Sequence, residues 1–191
     1  MIIVIDNQSA HIKKFKRNYL SEQDFDFIFF DHNQPIVLSD KAKISGIILS
    51  GGKGNPYEPL NLTANFVALM GFDVPILGFC LGHEIISVAY GGRIKKLSKK
   101  SMGKEQIVIQ KKEDKIFDGI VEDTLMLQKS HDYYVSQLPK DFVVLGSSKI
   151  CETEIIKHKD KPIYGFQSHP EVSGEKGIKI IENFLKMCGV L

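Results

Sequence analysis

The sequence predicts one α/β domain over residues 1–191, with a mostly parallel central sheet and helices on both of its faces. The length fits one domain of the usual ~100 to 200 residues, and 43% hydrophobic residues suffice for a core. Short β-branched runs are apolar at every position, which indicates strands buried on both faces. Segments with helical spacing separate these runs, so the chain follows the strand, helix, strand order of α/β proteins.

The first half of the chain alternates strands with helices. Buried strands are predicted at residues 2–5, 25–30, 47–49 and 76–79. The first helix is predicted from the helical spacing of Ile12, Phe15 and Tyr19. Two more helices are predicted at residues 60–70 and 82–90, and a pair of glycines ends the second of them.

The second half of the chain is richer in strands. Turns that contain Gly, Asp or Pro separate five predicted strands, at residues 106–110, 124–128, 142–145, 153–157 and 163–167. A final helix is predicted at residues 175–188, where apolar residues recur at helical spacing before Gly189. Function is expected at the carboxyl ends of the strands, as in other open α/β sheets.

Composition and charge argue against several classes of protein. The net charge of +2 predicts no large field that would favour nucleic acid or an acidic membrane surface. No stretch approaches the ~20 apolar residues of a membrane span, and the first residues lack the basic leader of a signal peptide. Cys80, Cys151 and Cys188 are widely spaced, which favours a reducing cytoplasm over a disulfide framework or a zinc site.

The sharpest motif is Gly-Phe-Cys-Leu-Gly at residues 78–82, which links a predicted strand to a predicted helix. Such a nucleophile elbow lifts the side chain of its central residue, here Cys80, above the sheet. The helix N-terminus beneath it is expected to favour the thiolate, which attacks carbonyl carbons. The alternative is that Cys80 is a small buried hydrophobic residue, as free cysteines commonly are.

A second strand, at residues 163–167, is followed by His169 and Glu171. We expect His169 to act as general base and acid toward Cys80. Pro170 favours extended geometry for the residue before it, and residues two apart in an extended segment face the same way. Glu171 is therefore predicted to orient the imidazole, as the acid of a catalytic triad does. His169 alone could equally be a structural histidine.

A glycine-rich loop follows the strand at residues 47–49 and spans Gly51 to Gly54. Its spacing differs from that of a P-loop, so nucleotide binding is the weaker interpretation. Beside a thiolate, the backbone N–H of Gly52 is predicted to form an oxyanion hole with the N–H of Leu81. The plain alternative is a flexible turn.

Together these motifs resemble the class I, or triad, glutamine amidotransferases along the whole chain. The family's Ser-Gly-Gly loop, Gly-x-Cys-x-Gly-His elbow and final His-Pro-Glu occur in that order at residues 50–52, 78–83 and 169–171. Within the family, Ser130-His131 and the segments around residues 150–159 and 162–167 are most similar to the separate amidotransferase subunit of archaeal-type GMP synthase.

The resemblance implies that Cys80 attacks the side-chain amide of glutamine, with His169 and Glu171 completing the triad and Gly52 and Leu81 holding the oxyanion. It also implies substrate contacts from four residues: Gly51, Glu84, Ser130 and His131. No metal or cofactor is expected in this chain. Ammonia would pass to an ATP-pyrophosphatase subunit that uses ATP and Mg²⁺ to convert XMP to GMP.

Several departures from the family pattern keep alternatives open. The family generally has Gln at position 84, Phe at 168 and Pro at 53, where this chain has Glu84, Ser168 and Lys53. In GMP synthases a Ser-His-x-Asp motif is common, whereas here Asp132 directly follows the histidine. The alternatives are an amidotransferase subunit of another synthase, of anthranilate or aminodeoxychorismate type, and a catalytically idle regulatory subunit. An ester or peptide hydrolase is a further, weaker one.

Overall fold

The computed structural model describes residues 1–37 and 44–191. The strands are Ile2–Asn7 (β1), Phe27–Asp31 (β2), Gly46–Gly52 (β3), Ile76–Phe79 (β4), Arg93–Ile109 (β5), Thr124–Gln137 (β6), Phe142–Ser147 (β7), Ile155–His158 (β8) and Ile163–Phe166 (β9). The helices are Ala10–Asn18 (α1), Thr63–Gly71 (α2), Leu81–Ala89 (α3) and Glu175–Met187 (α4). Within these two ranges, none of the helices is long and apolar enough to cross a membrane.

The strands form one sheet in the order β2-β1-β3-β4-β9-β8-β7-β5-β6. Neighbours from β2 to β9 in that order are parallel. Neighbours from β9 to β6 are antiparallel. The predicted α/β architecture is confirmed, but parallel pairing is limited to one half of a mixed sheet. The reason is that turns, rather than crossover helices, connect most of the strands in the second half, and turns join antiparallel neighbours.

Two apolar cores lie on opposite faces of the sheet. Strand β1 contributes to both, because alternate residues of a strand point to opposite faces. Ile2 and Val4 pack in the core beneath α1 and α4. Ile3 and Ile5 pack in the core beneath α2 and α3. Helices therefore cover both faces of the parallel half, as the sequence predicts.

Strands β5 and β6 are much longer than predicted. The sequence predicts strands only at 106–110 and 124–128, whereas β5 has 17 residues and β6 has 14. The part that was missed is lysine-rich and exposed, so it lacks the apolar runs that signal a strand. Backbone hydrogen bonds between β5 and β6 maintain the pairing there, with irregular register between Lys96 and Ser101.

Candidate active site

One cavity of about 560 Å³ lies at the carboxyl end of the parallel strands. Its walls come from the segment after β1, the loop after β3, the turn after β4, strand β6 and the residue that follows the β9 strand by three positions, His169. Of the residues predicted from sequence, those that line it are Gly52, Cys80, Leu81, Glu84, Ser130, His131 and His169. Gly51 and Glu171 lie behind this wall and contact His169.

Cys80 occupies a strained turn between β4 and α3. Its φ of 47° and ψ of −102° lie outside the regions that residues with a side chain ordinarily adopt. A Cβ on Gly82 would lie 2.3 Å from the carbonyl oxygen of Leu49. One on Gly78 would lie 2.7 Å from the backbone of Gly82, so both flanking positions require glycine. The turn has the elbow geometry that the motif predicts.

His169 and Glu171 form a buried pair. His169 Nδ1 lies 2.8 Å from Glu171 Oε1, and both side chains are almost fully enclosed. The backbone at Pro170–Val172 forms a single 3₁₀ turn rather than the extended segment expected from Pro170. The predicted contact is therefore present, but a turn brings the carboxylate back to the imidazole.

Gly51 fills the space between the two reactive side chains. A Cβ at this position would lie 2.7 Å from Cε1 of His169 and 3.3 Å from Cβ of Cys80. Any larger residue would push the imidazole away from the thiol. Gly51 is also buried and does not line the cavity. Its position fits a packing role better than the substrate contact predicted from the family resemblance.

The Cys80 thiol is held in its neutral form, contrary to our expectation from the helix N-terminus. Burial raises the pKa of Cys80 well above its ordinary value, and the carboxylates of Glu84 and Glu171 raise it further. The backbone N–H of Leu81 and the Lys100 ammonium oppose this effect without reversing it. A neighbouring base must therefore take the proton, and His169 is the residue placed to do so.

The two predicted oxyanion donors both line the cavity beside Cys80. Leu81 is the first residue of α3, so its N–H has no acceptor within the helix. Gly52 ends β3, and a Cβ there would lie 1.8 Å from the carbonyl oxygen of Asn7. The backbone at this point is thus so close to β1 that only glycine fits.

Ser130 and His131 lie in β6 and not in a loop. The Cys80 thiol lies 3.8 Å from the carbonyl oxygen of Ser130. His131 is buried, with Nδ1 2.6 Å from the carbonyl oxygen of Tyr133. Burial lowers the pKa of His131 to about 4, so its imidazole is neutral at physiological pH. Asp132, the next residue, is exposed and lies 3.7 Å from the Lys100 ammonium.

Comparison with known proteins decides the family. The model of class I glutamine amidotransferases matches residues 3–188. The chain belongs to the class I glutamine amidotransferases. This confirms the family that the motifs predict, and the match leaves only a few residues at each end outside it.

The relatives of this amidotransferase chain include proteins of the same length. The glutamine-hydrolyzing GMP synthase subunit of Methanothermobacter thermautotrophicus is 40% identical over 190 residues, which cover 98% of both chains. The protein of that name from Methanococcus aeolicus is 35% identical over 194 residues, covering 100% of this chain and 99% of the relative. The crystal structure of a Thermoplasma acidophilum protein, provisionally assigned to the same type of GMP synthase subunit, matches with a TM-score of 0.82 at 27% identity. That match covers 98% of this chain and 93% of the other.

Glu84, which replaces the usual family glutamine, is buried in the first turn of α3 and lines the cavity. Gln167 Nε2 donates a hydrogen bond of 3.0 Å to Glu84 Oε1. Burial raises the pKa of Glu84 to about 7, the Gln167 hydrogen bond opposes this and Asp132 adds to it. The amidotransferase cavity thus contains a carboxyl group whose charge changes near neutral pH.

The sequence analysis missed His11. Its ring centroid lies 4.4 Å from that of His169, and it lines the cavity from the first turn of α1. Burial lowers the pKa of His11, and the charge of His169 lowers it further. One signal could have identified it: Ser9 and His11 directly follow β1, and the segments after parallel strands meet at the edge where function is expected.

Proposed function

We propose that this amidotransferase chain hydrolyses glutamine to glutamate and ammonia, and supplies the ammonia to a separate synthetase subunit. The observation that carries the proposal is the arrangement of Cys80, His169 and Glu171 at one cavity. Cys80 lies on a strained elbow whose side chain reaches the cavity, and His169 lines the same cavity with a buried carboxylate on its Nδ1. The family match along the chain supports the same chemistry.

The reaction begins with a proton transfer from the Cys80 thiol to His169. The sulfur then attacks the side-chain amide carbon of glutamine, and the N–H groups of Gly52 and Leu81 stabilise the oxyanion. The imidazolium gives its proton to the amide nitrogen, and ammonia leaves as the C–N bond breaks. His169 next takes a proton from water, and the resulting hydroxide attacks the thioester. Glutamate is released and the thiol is restored.

Glu171 contributes by stabilising the imidazolium that forms in both halves of this reaction. Its carboxylate is buried, and a buried carboxylate favours a nearby positive charge strongly. The side chains and backbone groups of this chain carry every step without a metal ion. ATP and Mg²⁺ belong, in this proposal, to the partner subunit.

We assign the partner as the ATP-pyrophosphatase subunit of GMP synthase, which converts XMP to GMP. The support is that relatives covering the whole chain are named as the glutamine-hydrolyzing subunit of that enzyme. The 191 residues also lack the Ser-Gly-Gly-x-Asp loop of an ATP-pyrophosphatase, so the acceptor reaction needs another polypeptide. The proposed compartment is the cytoplasm, because the chain has three free cysteines, Cys80, Cys151 and Cys188.

The test is glutamate release from glutamine by the purified chain. It is measured first with this chain by itself, and then with a GMP synthase ATP-pyrophosphatase subunit, ATP, Mg²⁺ and XMP. We expect a slow basal rate and a rise of about tenfold or more in the full mixture, with GMP formed in proportion to glutamate. Cys80→Ala is the control and should be inactive in both.

Three results separate the proposal from its alternatives. Glutamate release that the full mixture leaves unchanged would assign the chain to another synthase or to an independent hydrolase. No release under any condition would favour an idle regulatory subunit. Hydrolysis of esters or peptides in preference to glutamine would identify a different hydrolase.

A further inference from the structure

A buried ion cluster lies directly behind the candidate active site. The side chain of Lys129 in β6 is 0% exposed, and its ammonium contacts the carboxylate of Glu154, which is also 0% exposed. The same ammonium lies 2.8 Å from Glu105 Oε2 on β5. Ser148 Oγ donates a hydrogen bond of 2.7 Å to Glu154. A lysine this deep is costly unless its charge is compensated, so the cluster must serve some purpose beyond filling space.

The residues on either side of Lys129 contact the two reactive residues. The carbonyl oxygen of Gln128 accepts a hydrogen bond of 2.8 Å from the backbone N–H of His169. The carbonyl oxygen of Ser130 lies 3.8 Å from the Cys80 sulfur. Alternate carbonyls of a strand point the same way, so one three-residue segment touches both sides of the reaction centre. Lys129 is the central residue of that segment.

The other end of the cluster reaches the same site by a second route. The backbone carbonyl of Glu154 accepts a hydrogen bond of 2.8 Å from the N–H of Gln167, two residues before His169. The side chain of Gln167 in turn donates to Glu84 in the cavity. The Lys129–Glu154 ion pair therefore joins two backbone segments, and each of them holds part of the site.

We propose that Lys129 is a positioning residue for the glutaminase reaction, and that its ion pair with Glu154 fixes the placement of His169 relative to Cys80. This inference rests on the proposed function. Reaction rates fall steeply when reacting groups shift by about 1 Å, whereas the binding of a substrate some distance away is less affected. Loss of the cluster should therefore reduce kcat with little change in KM.

The decisive variant is Lys129→Met combined with Glu154→Gln, which removes both charges and leaves no unpaired buried carboxylate. Its control is Lys157→Met combined with Asp114→Asn. The Lys157–Asp114 pair is partly buried with a separation of 2.6 Å, and neither residue lines the catalytic cavity. Both double variants, checked as folded by circular dichroism, are assayed for kcat and KM with glutamine.

We expect kcat of the Lys129 and Glu154 variant to fall by about tenfold or more while KM stays within twofold. The Lys157 and Asp114 variant should keep both constants within twofold. Glu105→Gln removes one partner of Lys129 at a less buried position and provides a milder test if the double variant does not fold. A kcat within twofold of the parent in whichever variant folds would overturn the proposal, as would an equal loss in the control.

A second measurement keeps this result separate from the proposed function. Alkylation of Cys80 by iodoacetamide depends on proton transfer from the thiol and needs no glutamine. We expect at least a fivefold slower rate at Cys80 in the Lys129 and Glu154 variant. A rate that is unchanged or faster would overturn the positioning role. A parent chain that does not hydrolyse glutamine, yet shows this difference in alkylation, would instead contradict the proposed function alone.

Discussion

The two halves of the sheet differ in how they build the site. The parallel half consists of short strands that are mostly enclosed by two helical layers, and Cys80, Glu84 and His169 follow the ends of β4 and β9. The antiparallel half includes the long β5–β6 ribbon, whose outer surface is exposed and whose inner surface holds His131 and Lys129. The parallel half supplies the reacting groups, and the ribbon supplies their second wall.

The ribbon also concentrates charge that the whole-chain composition conceals. Strand β5 has six basic residues and one acidic residue, a net charge of +5. Because the entire chain has a net charge of +2, the remaining residues have a net charge of −3. The small net charge was therefore a poor guide to local fields. A basic strip borders the cavity at Lys100 and helps to lower the pKa of the Cys80 thiol.

The largest effect is expected in the parallel half, from Cys80→Ala. Without the nucleophile, glutamate release should fall by at least about 10³-fold, since removal of a nucleophile leaves only binding and oxyanion stabilisation. The measurement pairs this rate with labelling by a diazo-ketone analogue of glutamine. One label is expected at Cys80 in the parent and none in the variant.

Cys151 and Cys188 serve as internal controls for that labelling. Burial raises their pKa values to about 11 and about 12, and neither lies on the cavity. The Cys80 thiol is buried as well, but it alone lines the cavity with His169. A label on the Cys80→Ala chain, or full activity of that variant, would show that the reaction uses another residue.

The sequence predicts the parallel half well because its signals are local. The strand predicted at 76–79 matches β4, and the elbow glycines state the geometry of the Cys80 turn directly. The ribbon could not be predicted, because backbone pairing between β5 and β6 leaves no apolar pattern in exposed lysine-rich segments. The neutral thiol and the packing role of Gly51 depend on burial by distant segments, which no local motif encodes.

A smaller effect is expected at Glu84, where the two halves meet. The α-ammonium of glutamine can donate a charge-assisted hydrogen bond to this carboxylate, typically worth ~1.5 to 3 kcal/mol. Glu84→Ala should therefore raise KM by roughly tenfold with much less change in kcat. Glu84→Gln, which restores the usual family residue, should lose far less. A KM within twofold of the parent in Glu84→Ala would mean that this carboxyl does not bind substrate.

The pH dependence of KM provides an independent check of the same contact. The pKa of Glu84 is about 7 in the free protein, so the ionised fraction decreases as the pH falls through 7. Only the ionised form pairs with the ammonium, so KM should rise toward acid pH in the parent. Glu84→Gln has no group to protonate at this position and should show a flatter KM profile between pH 6 and 8. An equal rise in both proteins would assign the titration to another group.

The smallest effect is expected on the ribbon, at Asp132. Its ion pair with Lys100 spans 3.7 Å between two side chains that are about half exposed, and exposed pairs contribute ~0 to 1 kcal/mol. Asp132→Asn should therefore leave the free energy of unfolding nearly unchanged, and KM for glutamine at pH 8 within twofold. Denaturation in urea and steady-state kinetics measure the two quantities.

Asp132→Asn should nevertheless move the acid limb of the KM profile. The negative charge of Asp132 raises the pKa of Glu84, so its removal lowers that pKa and shifts the rise in KM to lower pH. Because both Asp132 and solvent ions face the cavity mouth, the shift should be small and should shrink as salt is added. A rise in KM of more than fivefold at pH 8 would instead place the substrate ammonium on Asp132, and the ribbon would then supply a binding group as well as a wall.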